Sequence, residues 1–158
     1  GQSECNPCAE GYHASTEGSL ACTACVGGTF SEGAAADCSA CSAGTYSNSS
    51  SSTCTNCSAG SFAATSGSSN CTNCSAGTYT DTRASTTCIL CEKGYYQSGE
   101  GQSRCLACDT GRHAAESGME ECALCPAGFS TGSIIGATNC SACGAGYVSS
   151  GGDRPSGV

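Results

Sequence analysis

Large apolar side chains are nearly missing from this chain. Leu, Ile, Val and Phe together number 13 in 158 residues, Met occurs once and Trp not at all. An aliphatic or aromatic core is therefore excluded. Burying alanines and single rings cannot offset a backbone ordering cost of roughly 1–2 kcal/mol per residue. With a formal charge of −8, such a composition normally marks a disordered chain. Basic residues are also scarce, five Lys and Arg against thirteen Asp and Glu. That excludes a cationic face and argues for no nucleic acid partner. No apolar run approaches the ~20 residues of a spanning helix, so no direct membrane span is expected. No 3.6-residue apolar period occurs, so little helix is expected. The chain opens at Gly1 without an initiator Met or a leader-like segment. The expectation is a mature form, or a window of a longer array.

What the chain has instead is cysteine. Eighteen fall into nine Cys-x-x-Cys pairs, with no cysteine outside the pattern. The pairs begin at residues 5, 22, 38, 54, 71, 88, 105, 122 and 140, a period of 16 to 18 residues. Residues 1–158 thus read as one tandem array. Cysteine this dense is the signature of a disulfide scaffold, and stable disulfides imply an extracellular or cell-surface location.

Glycine stands three residues after the second cysteine in every repeat, at Gly11, Gly28, Gly44, Gly60, Gly77, Gly94, Gly111, Gly128 and Gly146. It permits a positive φ or a close backbone approach beside the disulfide. An aromatic follows one or two residues later: Tyr12, Phe30, Tyr46, Phe62, Tyr79, Tyr95 or Tyr96, Phe129 and Tyr147. His113 takes that place in the seventh repeat. Such a ring can lie across a disulfide or on the neighbouring repeat's backbone. The fold class expected is small disulfide-rich: an elongated, solenoid-like rod of short β-ribbons and turns, each repeat touching only its neighbours. Gly1-Gln2-Ser3-Glu4-Cys5 resembles Gly101-Gln102-Ser103-Arg104-Cys105 at a shift of 100 residues. A longer repeat and chance within a biased alphabet both account for it.

Connectivity is not fixed by sequence. Closing a Cys-x-x-Cys pair on itself makes a small strained ring. The simplest alternative is a ladder from the second cysteine of one pair to the first of the next. Its bridges are Cys8–Cys22, Cys25–Cys38, Cys41–Cys54, Cys57–Cys71, Cys74–Cys88, Cys91–Cys105, Cys108–Cys122 and Cys125–Cys140. Cys5 and Cys143 are then left for flanking repeats or another chain. A rival scheme joins first to first and second to second, and strands one of the nine pairs.

The string Cys41-Ser42-Ala43-Gly44-Thr45-Tyr46-Ser47, with its polar loop to the next cysteine, resembles the ephrin-receptor-like cysteine-rich repeat. It is also similar to small-loop modules of tumour-necrosis-factor-receptor-like domains. Arrays of this composition resemble protist cysteine-rich surface antigens and extracellular hair proteins. These likenesses imply a disulfide-stapled extracellular rod and no particular ligand. Receptor-type repeats often carry Pro after the second cysteine, whereas here only Pro126 does so.

Zinc is the chemical rival for Cys-x-x-Cys pairs. Nine pairs suit paired zinc sites poorly, so structural disulfides and no cofactor are expected. His13 and His113 occupy corresponding places and read as surface residues. Glu116, Glu120 and Glu121 lack the spacing of a calcium loop. No nucleophile motif, phosphate loop or carboxylate pair points to an enzyme. Asn-x-Ser/Thr triplets stand at Asn48, Asn56, Asn70, Asn73 and Asn139, with Cys in the middle of all but the first. Ser and Thr crowd the loops, with Ser49, Ser50, Thr45 and Thr78 as candidate O-linked acceptors. The functional expectation is a glycosylated structural protein that self-associates into an extracellular fibre, hair or coat. The alternative is a receptor or adhesion ectodomain gripping a protein or glycan, through Ile134-Ile135 or Lys93-Gly94-Tyr95-Tyr96.

Overall fold

A turn dictated by glycine starts every hairpin. In the computed structural model, which describes residues 4–149, Thr45 N–H donates to Ser42 O and Thr78 N–H to Ser75 O, each at 3.0 Å. The third residue of these turns has φ of 84° at Gly44 and 76° at Gly77, and the residue before it has no positive φ. That is a type II turn, in which only glycine is comfortable at the third place. The Thr45 and Thr78 hydroxyls add a second bond to the same carbonyls at 2.8 Å.

The two residues after the glycine form one strand. The two residues between the cysteines of the next pair form its antiparallel partner. Among the described residues there are eight such two-stranded sheets and no helix. Described residues up to Asn73, with Thr82–Thr87, form one compact unit; Cys74–Asp81 and the described residues from Cys88 onward form another. In the first unit β1 (Tyr12–His13) pairs with β2 (Thr23–Ala24), and β3 (Thr29–Phe30) with β4 (Ser39–Ala40). There too β5 (Thr45–Tyr46) pairs with β6 (Thr55–Asn56), and β7 (Ser61–Phe62) with β8 (Thr72–Asn73). In the second unit β9 (Thr78–Tyr79) pairs with β10 (Ile89–Leu90), and β11 (Tyr95–Tyr96) with β12 (Leu106–Ala107). It continues with β13 (Arg112–His113) on β14 (Ala123–Leu124), and β15 (Phe129–Ser130) on β16 (Ser141–Ala142). The start of the 100-residue resemblance, Gly1–Ser3, lies outside the described residues.

Disulfides bind these hairpins into a series. The first unit holds Cys8–Cys22, Cys25–Cys38, Cys41–Cys54 and Cys57–Cys71. The second holds Cys74–Cys88, Cys91–Cys105, Cys108–Cys122 and Cys125–Cys140. All eight run from the second cysteine of one pair to the first of the next. Each closes a loop of 13 to 15 residues, worth about 3 kcal/mol in the chain-entropy account. Cys5 and Cys143 carry no bridge.

The buried interior is sulfur and small side chains. Cys25, Cys41, Cys57, Cys74, Cys91 and Cys108 are essentially sealed from solvent. Beside them lies the residue three places after the glycine: Ser31, Ser47, Ala63, Thr80, Gln97, Ala114 and Thr131 are all buried. The polar ones are satisfied. Ser31 Oγ donates to Tyr12 O at 3.0 Å and Ser47 Oγ to Thr29 O at 2.9 Å. Among the described residues no buried side-chain polar atom lacks a partner.

The place of the rings is resolved here, and the expectation that each repeat touches only its neighbours is corrected. The rings do not share one register. Tyr12, Tyr95, Phe129 and Tyr147 stand first after the glycine and are exposed. The second position holds His13, Phe30, Tyr46, Phe62, Tyr79, Tyr96, His113 and Ser130, all half-buried. Side chains alternate faces along a strand, so a one-residue offset turns a ring outward. Contacts also reach beyond the adjacent repeat. A Cβ on Gly11 would lie 2.2 Å from Ser50 O, and one on Gly44 would lie 2.0 Å from Ala84 O. Each carbonyl belongs to the next repeat but one and enters because glycine leaves the space open.

Backbone hydrogen bonds repeat this stacking within each unit. Ala34, Ser50, Gly67 and Ala84 donate to Cys8, Cys25, Cys41 and Cys57 carbonyls at 2.8–2.9 Å. In the second unit Gly101, Gly118 and Gly136 do the same to Cys74, Cys91 and Cys108. Every one of these donors has a positive φ and stands four residues before a cysteine.

Candidate functional site

In some repeats a histidine replaces the inner ring. Among the described residues this happens twice, at the ends of β1 and β13. In the other hairpins the inner position carries an aromatic, except for Ser130 in β15. Tyr96 packs against the following bridge, on Cys108, Cys122 and Ala114. His13 and His113 take the same seat over the following bridge. His13 Nδ1 is 3.1 Å from Cys38 Sγ, and His113 Nδ1 is 3.2 Å from Cys140 Sγ. Both imidazoles are half-buried, not on the open surface as the sequence suggested. The His13 backbone is held by β2 and by a parallel bridge to Ala35. Around His113, Arg112 Nη1 donates to Cys122 O at 3.1 Å.

In each place the imidazole nitrogen and both bridge sulfurs lie within 4.8 Å of one another. The sulfurs are oxidised, so neither can act as a thiolate ligand in this state. No other cluster of three His, Cys, Asp or Glu donors occurs among the described residues. Glu116, Glu120 and Glu121 are exposed.

The candidate sugar acceptors separate by environment. Asn48, Asn70 and Asn139 are exposed in loops, with Ser49 and Ser50 exposed beside Asn48. Asn56 and Asn73 are exposed but lie within β6 and β8. Thr45 and Thr78 are half-buried, their hydroxyls committed to the turn carbonyls described above.

Exposed apolar residues are concentrated in the second unit. Ile89, Leu90, Leu106 and Leu124 sit between paired cysteines, where the first unit has Thr, Ser, Ala, Asn and one Pro. Ile134 and Ile135 are more than 60% exposed. Tyr95 lines a shallow depression of about 230 Å³ with Tyr79, Glu92, Arg104 and Cys105. Sequence reasoning singled out Tyr95 and the isoleucine pair. It missed the Cys-x-x-Cys interiors, whose outward facing is legible only once they are recognised as strands.

Disulfide-stapled hairpins in tandem, with a type II glycine turn in each, define a cysteine-rich repeat module of the extracellular kind. The family described as tyrosine-protein kinase ephrin type A/B receptor-like matches the chain over residues 44–87, 83–119 and 98–143. Those matches span well over half of the sequence, and the chain belongs to that family of repeats. No curated protein matches the chain. No helix among the described residues is long and apolar enough to cross a membrane.

Proposed function

We propose that this chain is a structural segment of an extracellular fibre, hair or surface coat, assembled by self-association and covered with covalently attached glycans. One observation carries the reading. The same bridge, turn and inter-repeat hydrogen bonds recur along both units. Such an arrangement transmits covalent stiffness from hairpin to hairpin and leaves the outside to polar loops. Cys5 and Cys143, unbridged, suit covalent continuation into flanking repeats. Exposed Asn48, with Ser49 and Ser50, suits a sugar sheath.

The experiment is electron microscopy of the native material beside non-reducing electrophoresis. Filaments with a helical repeat, and a species far larger than one chain, are expected. Single molecules bound at a membrane would overturn the fibre reading. They would favour a receptor or adhesion ectodomain, for which the exposed Ile89, Leu90, Leu106, Leu124, Ile134 and Ile135 offer contact surface. In neither reading does the chain catalyse a reaction.

A further inference from the structure

We propose that His13 with Cys25 and Cys38, and His113 with Cys125 and Cys140, are two latent binding sites for a thiophilic divalent cation of the zinc type, each unlocked by reduction of one bridge. Zinc favours four tetrahedral ligands drawn from thiolates and imidazoles. Each cluster supplies three donors of that kind, already within 4.8 Å of one another. A water completes the set. The imidazole is held by its strand over the bridge, so little ordering remains for the protein to do.

The bridges differ in what they release. Opening Cys108–Cys122, beneath Tyr96, yields two thiols and a phenol ring that offers no soft ligand. Opening Cys25–Cys38 or Cys125–Cys140 yields two thiols facing an imidazole nitrogen. The arrangement occurs once in each compact unit, at equivalent places in the repeat.

The chemistry balances in two steps. A dithiol reductant gives two electrons and two protons to the bridge; its S–S bond breaks, two Cys–SH groups form, and the reductant leaves as its own disulfide. The cation then displaces both thiol protons to solvent and forms two metal–sulfur bonds. The neutral imidazole donates its Nδ1 lone pair. Because the cation binds only the reduced form, mass action draws these two bridges open ahead of the rest.

The test treats the intact chain with a limiting phosphine reductant, which adds no competing thiol, and with Co(II) as the probe. Native mass spectrometry counts bound ions, and absorption reports thiolate-to-cobalt charge transfer. Alkylation after metal removal maps the opened bridges. The expected result is two ions per chain, with label on Cys25, Cys38, Cys125 and Cys140. His13→Phe and His113→Phe install the ring that other repeats carry at this place, so folding is retained. Each should lose one ion, and the double variant both. Unchanged binding in these variants, label spread evenly over all bridges, or no charge-transfer band would each overturn the proposal.

Discussion

At the scale of the residue, the stacking rests on backbone conformations that only some side chains allow. Gly44 and Gly67 both have positive φ, 84° and 78°. An alanine at either incurs the left-handed penalty of roughly 1–2 kcal/mol. Only Gly44 also has a carbonyl oxygen where the new methyl must go, since nothing lies within 4 Å of a Cβ on Gly67. Gly44→Ala should therefore cost about 1–3 kcal/mol more than Gly67→Ala, the usual range for overpacking. The measurement is native-state hydrogen exchange at the Gly44, Ala63 and Ala84 amides. Equal losses in the two variants would show that the close approach is unimportant. Ala84 offers the opposite case, a non-glycine residue at φ 57°. Ala84→Gly should stabilise locally by roughly 0.5–1 kcal/mol, after the unfolded chain's greater freedom is allowed for. Slower exchange at the Ala84 amide would register the gain.

The same residues mark what could be read from sequence. The turn glycines were legible because all nine repeats carry one at a fixed place. The second positive-φ site, four residues before each first cysteine from Cys22 to Cys140, is only partly spelled out. Gly18, Gly67, Gly101, Gly118 and Gly136 fit it, but Ala34, Ser50 and Ala84 hide the pattern. The buried place three residues after the glycine was hidden differently. Ala, Ser and Thr there look like loop filler until the chain is stacked. The histidines were singled out but read as surface residues, because their partner is a disulfide of the following repeat, distant in sequence and chemically inert on paper.

At the scale of the element, no hairpin has the means to stand alone. Each strand is two residues long, whereas isolated two-stranded hairpins are marginal even at greater length. The bridge supplies what the strands cannot. Replacing Cys57 and Cys71 together by Ser should cost about 3 kcal/mol. The effect should be confined mainly to β5–β8, because repeats depend on near neighbours. Exchange would quicken there while Gly11 and Ala34 keep their protection. Collapse of every amide in parallel would instead indicate a single cooperative unit. The hairpins were legible as short β-ribbons, but their strand register was not. Aromatics one or two residues after glycine look equivalent in sequence, and the pleat makes them opposites.

At the scale of the whole molecule, covalent sulfur replaces the absent apolar core. A reductant in excess, without denaturant, should abolish amide protection throughout the described residues and leave a chain of disordered composition. Far-ultraviolet circular dichroism and hydrogen exchange would both register it. Persistence of the hairpins under full reduction would mean that packing, not bridging, holds them. The scarcity of large apolar residues made this legible in advance. Most of the large apolar residues described face outward, in the second unit above all, and no composition count foretells that.

One consequence follows from filling the space between repeats with carbonyl oxygens and bridges in place of interlocking side chains. A hairpin can be copied or deleted without recutting any jigsaw, since a newcomer meets the same peptide groups its predecessor met. A gene for such a chain can therefore lengthen or shorten in steps of 16 to 18 codons, and the protein would accept each change as more, or less, of the same.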